Sequence, residues 1–160
     1  MIQSNNKAIK AYQSVGFALD LELISFKGRS INYTHNFIFS EVIPERLDRY
    51  LDYIEHRLAW EHTPQTIMYD KSQFTFYEMH KENSLLGFAI IKNLNLDVTI
   101  FGVKDGNWKK YGAALFSEIQ KRHSEYKIIN IDSRDTELIN FFEENKFKVL
   151  IKQFEMKLEM

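Results

Sequence analysis

Apolar residues recur at helical spacing between Ser4 and Gly16 and then alternate with polar residues from Phe17 to Phe26. The first pattern predicts a helix that Ser4 or Asn5 caps and that Gly16 ends. The second pattern predicts a strand in which every other side chain faces a core. The chain therefore begins with a helix-strand unit, which a short linker at Gly28 closes.

A longer series of elements follows this unit. The pattern predicts strands at Phe37 to Val42, Phe74 to Met79, Leu85 to Ile91, Leu96 to Val103, Lys127 to Asp132 and Phe147 to Leu158. It predicts a first helix that starts at Pro44, presents Leu47, Leu51, Ile54 and Leu58 on one face and is broken by Thr63-Pro64. Two further helices are predicted after Asn107 and from Thr136 to Asn145. This order indicates an α+β fold, a mixed sheet with helices on its faces.

The composition narrows the class of protein. The 160 residues are 44% hydrophobic, carry a formal net charge of -1 and include no cysteine. Disulfides, cysteine nucleophiles and thiolate metal sites are therefore excluded, and no charge excess favours a nucleic acid or an acidic membrane. The sequence has no apolar run near the roughly 20 residues that span a bilayer, and its start lacks the apolar core of a signal peptide. We predict a cytoplasmic protein.

The two ends of the chain resemble each other. Asn5 to Phe17 and Asp135 to Phe147 share a polar cap, an apolar helix with a late aromatic residue (Tyr12, Phe142) and a phenylalanine that opens a strand. A repeat at a distance typical of one domain predicts two tandem domains. Residues 1–30 would then be the closing helix and strand of a preceding domain, and residues 31–160 a second domain. The alternative is a chance similarity between two common helix-strand units.

The series Asn5-x-x-Ala8-x-x-x-Tyr12-x-x-x-Gly16-Phe17 resembles the closing motif of the Gcn5-related N-acetyltransferases, the GNAT family. The stretch that follows, Leu23 to Gly28, resembles the last strand of tandem GNAT proteins. The order of elements in residues 31–160 is similar to a whole GNAT domain. The resemblance implies the acyl-CoA N-acyltransferase fold and acetyl-CoA as cosubstrate.

The cofactor loop of that family reads Arg/Gln-x-x-Gly-x-Gly/Ala, and Asn107 to Gly112 resembles it. Gly112 keeps the second glycine, whereas Lys110 replaces the first and either crowds the coenzyme pyrophosphate or pairs with it. Free N–H groups at a helix start favour such an anion. The alternative is a solvated, charged helix start. The cofactor-binding residues that the resemblance implies are Phe101, Val103, Asn107, Lys109, Lys110, Tyr111, Gly112, Ala113 and Phe142.

The resemblance also implies direct transfer of an acetyl group to an amine, which needs a general base. We name Glu78 and His80 as catalytic candidates and Asp132 as a further one, because they end central strands; the alternative is that they are solvated strand-end charges. Phe142 stands where the family often has a tyrosine proposed as general acid, and it has no proton to give.

Three functions are compatible with these observations. The first is an N-acetyltransferase that acts on a primary amine of a small molecule or peptide. The second is a catalytically weak GNAT-like module that serves dimerisation or substrate recognition, and a plain interaction domain without a coenzyme site is a third. His56 and His62 lack metal-ligand spacing, so we predict no metal. We expect Phe17 to Phe26 to dock on the second domain or on a second copy, which would give a homodimer.

Overall fold

The computed structural model describes residues 1–158. Its helices are α1 (Asn6–Ser14), α2 (Pro64–Tyr69), α3 (Ala113–Arg122) and α4 (Thr136–Glu144). Its strands are β1 (Phe17–Lys27), β2 (Ile38–Val42), β3 (Phe74–Lys81), β4 (Ser84–Lys92), β5 (Asp97–Val103), β6 (Lys127–Asp132) and β7 (Lys148–Leu158). They form one sheet in the order β2-β3-β4-β5-β6-β1-β7, in which β5 and β6 run parallel and the other neighbours antiparallel. The predicted α+β class is confirmed.

Strand β1 lies between β6 and β7, although it comes from the opposite end of the chain. Leu23 is opposite Asp132 on β6, and Phe26 is opposite Val149 on β7. The apolar side chains of β1 that alternate along the sequence enter the core, and Leu21 and Phe26 are almost fully buried. The expectation that this strand docks on the rest of the chain is confirmed, because pairing on both sides removes an exposed sheet edge.

The first half of β1 extends beyond β6 and forms a two-stranded ribbon with β7. Residues 17–21 are in register with β7, whereas β6 is in register with residues 23–27. Helix α1 precedes this ribbon and joins it through Gly16, whose φ of 94° suits glycine. Asn5 caps the helix, since its side chain accepts a hydrogen bond from the Ala8 N–H at 3.1 Å. Tyr12 on α1 and Val15, which directly follows the helix, remain exposed.

Two cores lie on opposite faces of the sheet. Helices α3 and α4 cover one face with an aromatic core that includes Phe26, Phe101, Phe116 and Phe142. The Phe116 and Phe142 ring centroids are 5.5 Å apart in an edge-to-face arrangement, which is favourable for aromatic pairs. The other face is covered by α2 and by the segment between β2 and α2, where Tyr50 stacks on Phe88.

The predicted helix between Pro44 and the Thr63-Pro64 break is wrong. Two 3₁₀ helices form there instead, Asp48–Tyr53 and Trp60–His62, and Ile54 after the first of them is extended. The reason is a tertiary contact: the backbone of Tyr53 lies so close to Gly102 that a Cβ on Gly102 would come within 2.1 Å of the Tyr53 carbonyl oxygen. Pro64 does not end a helix but starts α2, which Thr63 caps.

The other predicted elements match the structure within a few residues. Strand β6 has the predicted bounds, and α4 ends one residue earlier than predicted. The helices are short, and none within residues 1–158 is long and apolar enough to cross a membrane.

Candidate functional site

The parallel strands β5 and β6 are in register only near their first residues. The aligned pairs are Asp97 with Lys127 and Val98 with Ile128, and beyond them the strands separate. Both strands continue well past these pairs, so a cleft opens between them toward their carboxyl ends. Ligands of sheets with parallel strands commonly bind at carboxyl ends where neighbouring strands diverge. We refer to this opening as the β5–β6 cleft.

One wall of the cleft is the turn that leads from β5 into α3 through a π-helical segment, Trp108–Gly112. The Asn107 side chain accepts a hydrogen bond from the Lys110 N–H at 3.2 Å. The Asn107 carbonyl accepts hydrogen bonds from the N–H groups of Tyr111 at 2.9 Å and Gly112 at 3.4 Å. These donors lie in the stretch that the resemblance assigns to a pyrophosphate, and each already has an acceptor within the turn.

Gly112 has a packing role that the sequence does not reveal. A Cβ at this position would lie 2.8 Å from Cε3 of Trp108 and 3.3 Å from Cζ of Phe141. Glycine is therefore required for the Trp108 indole to lie against the start of α3. The Trp108 ring is buried, and its Nε1 has no hydrogen-bond partner among the described residues.

A cavity of about 340 Å³ lies between this turn and α4. It is lined by Gly106, Asn107, Trp108, Lys109, Glu137, Asn140, Phe141 and Glu144. Lys109 contributes the positive charge to this lining. The neighbouring Lys110 is outside the lining, and its ammonium lies 5.3 Å from the centre of the Tyr111 ring. Glu137 and Glu144 bring negative charge to the side of the cavity opposite the turn.

The predicted cofactor-binding residues lie on β5, in the turn that follows it, at the start of α3 and on α4. Phe101 and Val103 are buried on β5, and Ala113 begins α3. Phe142 on α4 is fully buried, with its ring centroid 4.8 Å from that of Phe26 and 6.3 Å from that of Phe101. It lies within the aromatic core rather than on a cavity surface.

His56 lies in the segment between β2 and α2, and its sequence surroundings do not mark it as a catalytic candidate. Its side chain is only 6% exposed, and its ring centroid lies 5.2 Å from that of Phe101. Burial lowers the pKa of His56, although Asp135 and Asp132 act in the opposite direction. Its Nδ1 has no partner among the described residues. A neutral, buried imidazole therefore borders the cleft.

A second cavity, of about 410 Å³, lies where the cleft meets the start of α4. Its lining is Glu55, His56, Arg57, Asp132, Arg134, Asp135, Thr136 and Glu137. We call it the mouth cavity. Within residues 1–158, no group of three or more His, Cys, Asp and Glu side chains is arranged to hold a metal ion.

Asp132, the further base candidate, lines the mouth cavity but is engaged by Arg134. The Arg134 guanidinium donates to both carboxylate oxygens, at distances between 2.6 and 3.2 Å. Burial acts to raise the pKa of Asp132, but the hydrogen bonds from Arg134 outweigh it and lower that pKa. A carboxylate held in this way is a weak proton acceptor.

Glu78 and His80 lie on β3, apart from the cleft. Glu78 is opposite Phe88 on β4, which is opposite Gly102 on β5, so two strand spacings, about 10 Å, separate Glu78 from β5. Its carboxylate accepts a hydrogen bond from the Tyr50 hydroxyl at 2.6 Å and lies 2.7 Å from Nε2 of His80. Arg49 forms an ion pair with it at 3.3 Å. The structure thus brings these two residues together, but not with the cofactor-binding residues.

Comparison with known proteins identifies the fold. No model of a known protein family matches the sequence, and no curated protein matches it. Among solved structures, the chain is similar to a GCN5-related N-acetyltransferase from Sphaerobacter thermophilus, with a TM-score of 0.58 and 11% identity over 98% of this chain. The chain has the GNAT fold.

A second solved structure supports the same architecture. It is a conserved protein of unknown function from Staphylococcus epidermidis, with a TM-score of 0.66 and 11% identity over 95% of this chain. The GNAT-fold chain spans 66% of the length of that protein and 57% of the length of the Sphaerobacter enzyme.

Proposed function

We propose that this chain is an acyltransferase domain that binds acetyl-CoA at the β5–β6 cleft and transfers the acetyl group to a primary amine. The observation that carries the proposal is the separation of β5 and β6 after Val98 and Ile128, next to the turn that starts α3. A slot between parting parallel strands, beside a helix N-terminus, suits a long cosubstrate with a pyrophosphate at one end.

His56 is the base that we propose for this reaction. Because burial lowers its pKa, its imidazole is neutral near pH 7 and can accept the proton of the attacking amine. The amine nitrogen then forms a bond to the thioester carbon, and the carbon–sulfur bond breaks. The imidazolium returns its proton to the coenzyme thiolate, a step for which the Phe142 ring has no proton. Glu78 and His80 remain predicted catalytic residues, but their position on β3, apart from the cleft, is less favourable for this reaction.

A second function is favoured by the charges around the cleft. Four carboxylates line the mouth cavity against two guanidinium groups, and Glu137 also lines the cavity beside the turn. Negative charge opposes the phosphates of coenzyme A, and the turn donors are already hydrogen-bonded. These features support a catalytically weak GNAT-like module that recognises a substrate or partner.

We also propose that residues 1–30 correspond to the closing helix and strand of a preceding GNAT domain, as the motif resemblance implies. Four exposed apolar or aromatic residues at this end of the molecule support a contact there: Tyr12 on α1, Val15 directly after it, and Leu19 and Leu158 on the ribbon. A homodimer through the same end and a cytoplasmic location remain predictions.

Calorimetric titration with acetyl-CoA tests the proposed function. We expect micromolar binding to the unaltered chain and at least ten-fold weaker binding to a Lys109→Glu/Lys110→Glu variant, because both ammonium groups lie at the turn. Lys81→Glu, at an exposed position on the end of β3, is the matched control and should bind normally. Substitution of Gly112 is unsuitable, since any side chain there collides with Trp108. No heat from millimolar acetyl-CoA would contradict the proposal and favour the catalytically weak module.

A further inference from the structure

Three carboxylates at the mouth cavity are without an ion-pair partner in the described part of the chain. Glu55, Asp135 and Glu137 form no ion pair within residues 1–158. The two arginines of the same lining are already engaged, Arg134 with Asp132 at 2.6 Å and Arg57 with Asp20 at 2.7 Å. The mouth cavity therefore carries uncompensated negative charge.

These carboxylates act on one another. The pKa of Glu55 is raised, first by partial burial and then by the charges of Asp135, Glu137 and Asp105. The Glu55 carboxylate also lies against the turn after β5, where a Cβ on Gly106 would be 2.5 Å from its Oε2. The fold thus holds Glu55 close to other anions, a position that a cation would stabilise.

Two unpartnered polar atoms provide an independent observation at the same place. Nδ1 of His56 and Oδ2 of Asp135 are buried without a hydrogen-bond partner among the described residues, and both side chains line the mouth cavity. Buried polar atoms in folded proteins almost always have a partner, so each such exception needs an explanation. The other oxygen of Asp135 is used, because it caps α4 by accepting from the Leu138 N–H at 3.1 Å.

We propose that the mouth cavity binds a small aliphatic amine that carries more than one ammonium group. An ammonium offers three N–H donors to carboxylate and imidazole acceptors. The three carboxylates come from two separate segments, because Glu55 precedes His56 while Asp135 and Glu137 lie at the start of α4. Two or more charges spaced along one ligand therefore match them better than a single charge. The volume of about 410 Å³ suits a small organic ligand rather than a bare metal ion, for which no ligand cluster exists in residues 1–158.

The role of this amine as the acetyl acceptor rests on the proposed function. His56 would then serve both steps, since it lines the mouth cavity and borders Phe101 in the cleft. Binding of the amine itself does not require acetyl-CoA, so the two proposals can fail separately.

The test is calorimetric titration of the full chain with putrescine and with spermidine, in the absence of acetyl-CoA. Putrescine is compared with n-butylamine, which has the same carbon chain but one ammonium group. We expect both polyamines to bind, putrescine at least ten-fold more tightly than n-butylamine. The Glu55→Gln/Glu137→Gln variant should lose at least ten-fold in affinity for spermidine. Glu45→Gln, an exposed glutamate outside the cavity, is the matched control and should bind as the unaltered chain does.

Circular dichroism confirms that each variant is folded before it is titrated. The proposal is overturned if the folded, unaltered chain binds neither polyamine at millimolar concentration. It is also overturned if the Glu55→Gln/Glu137→Gln variant binds spermidine as tightly as the Glu45→Gln control does. A third contrary outcome would be that magnesium chloride abolishes spermidine binding while sodium chloride at the same ionic strength does not, because the site would then prefer a metal ion. Polyamine binding without acetyl-CoA binding would support the site and reject the proposed function. Acetyl-CoA binding without polyamine binding would support the proposed function and reject the polyamine site.

Discussion

Two clusters of buried titratable groups lie in this fold, and they differ in how well their polar atoms are satisfied. Around Glu78, the hydroxyl of Tyr50, the ring of His80 and the guanidinium of Arg49 all contact one carboxylate. Around His56, by contrast, Nδ1 of the imidazole and Oδ2 of nearby Asp135 have no partner in the described part of the chain.

This difference indicates that the cluster around Glu78 is a structural network and that the cluster around His56 is a candidate binding site. A buried carboxylate with three partners fixes the packing of the elements that supply them, here the 3₁₀ helix Asp48–Tyr53 against β3. Unpartnered buried atoms beside a cavity lower stability unless something else binds them. We therefore expect substitutions at Glu78 to change stability, and those at His56 and Glu55 to change ligand binding and pH dependence.

The largest effect is expected from Glu78→Ala. The substitution leaves the buried Tyr50 hydroxyl and the His80 ring without an acceptor, and we expect it to lower the free energy of unfolding by about 3 kcal/mol. Urea unfolding at pH 7 measures this change. Glu45→Ala, at an exposed position, is the control and should differ from the unaltered chain by less than about 0.5 kcal/mol. A Glu78→Ala variant as stable as the control would show that the network is not structural.

The second largest effect is expected on the pH dependence of stability, through His56. Because its folded-state pKa is lowered by burial, the unfolded chain binds more protons below the ordinary histidine pKa of about 6.5. Stability is therefore full above that value and declines as pH falls below it. We expect His56→Leu to remove part of this decline, so that the variant gains stability relative to the unaltered chain as pH falls from 8 to 5.5, by at most about 1.4 kcal/mol for each pH unit.

Thermal unfolding across that pH range checks the prediction, and His62→Leu is its matched control. Burial lowers the pKa of His62 as well, but His62 is outside the lining of the mouth cavity. Both variants should flatten the pH profile, whereas only His56→Leu should weaken spermidine binding. Equal slopes for His56→Leu and the unaltered chain would contradict a neutral, buried imidazole.

The sequence predicted most of the sheet because its signal is local. Alternation along Phe17 to Phe26 and the apolar run at Lys127 to Asp132 each reflect burial of the strand itself. The helix predicted between Pro44 and Thr63 does not form, because its apolar spacing competes with a contact between Tyr53 and Gly102, which are nearly fifty residues apart in sequence. A local pattern does not register such a contact.

The site was less predictable than the fold. His56 is buried and packs on Phe101, a residue distant in sequence, so its burial has no signature around position 56. Gly112 stands out in the sequence by its place in a motif, yet its packing against Trp108 and Phe141 is visible only in three dimensions. Glu78 and His80 are catalytic candidates by their place at a predicted strand end, which does not show how many partners a carboxylate has.

The smallest effect is expected from Glu55→Gln, and it has the sign opposite to that of Glu78→Ala. Since burial and neighbouring carboxylates raise the pKa of Glu55, its ionised form is disfavoured in the folded state, and this penalty appears as pH rises through the raised pKa. Glu55→Gln should therefore stabilise the chain at pH 7, by only a few tenths of a kcal/mol because solvent screens an exposed carboxylate. The gain should vanish near pH 4, where Glu55 is protonated. Urea unfolding at both pH values measures it, and a loss of stability at pH 7 would mean that Glu55 makes a favourable contact instead.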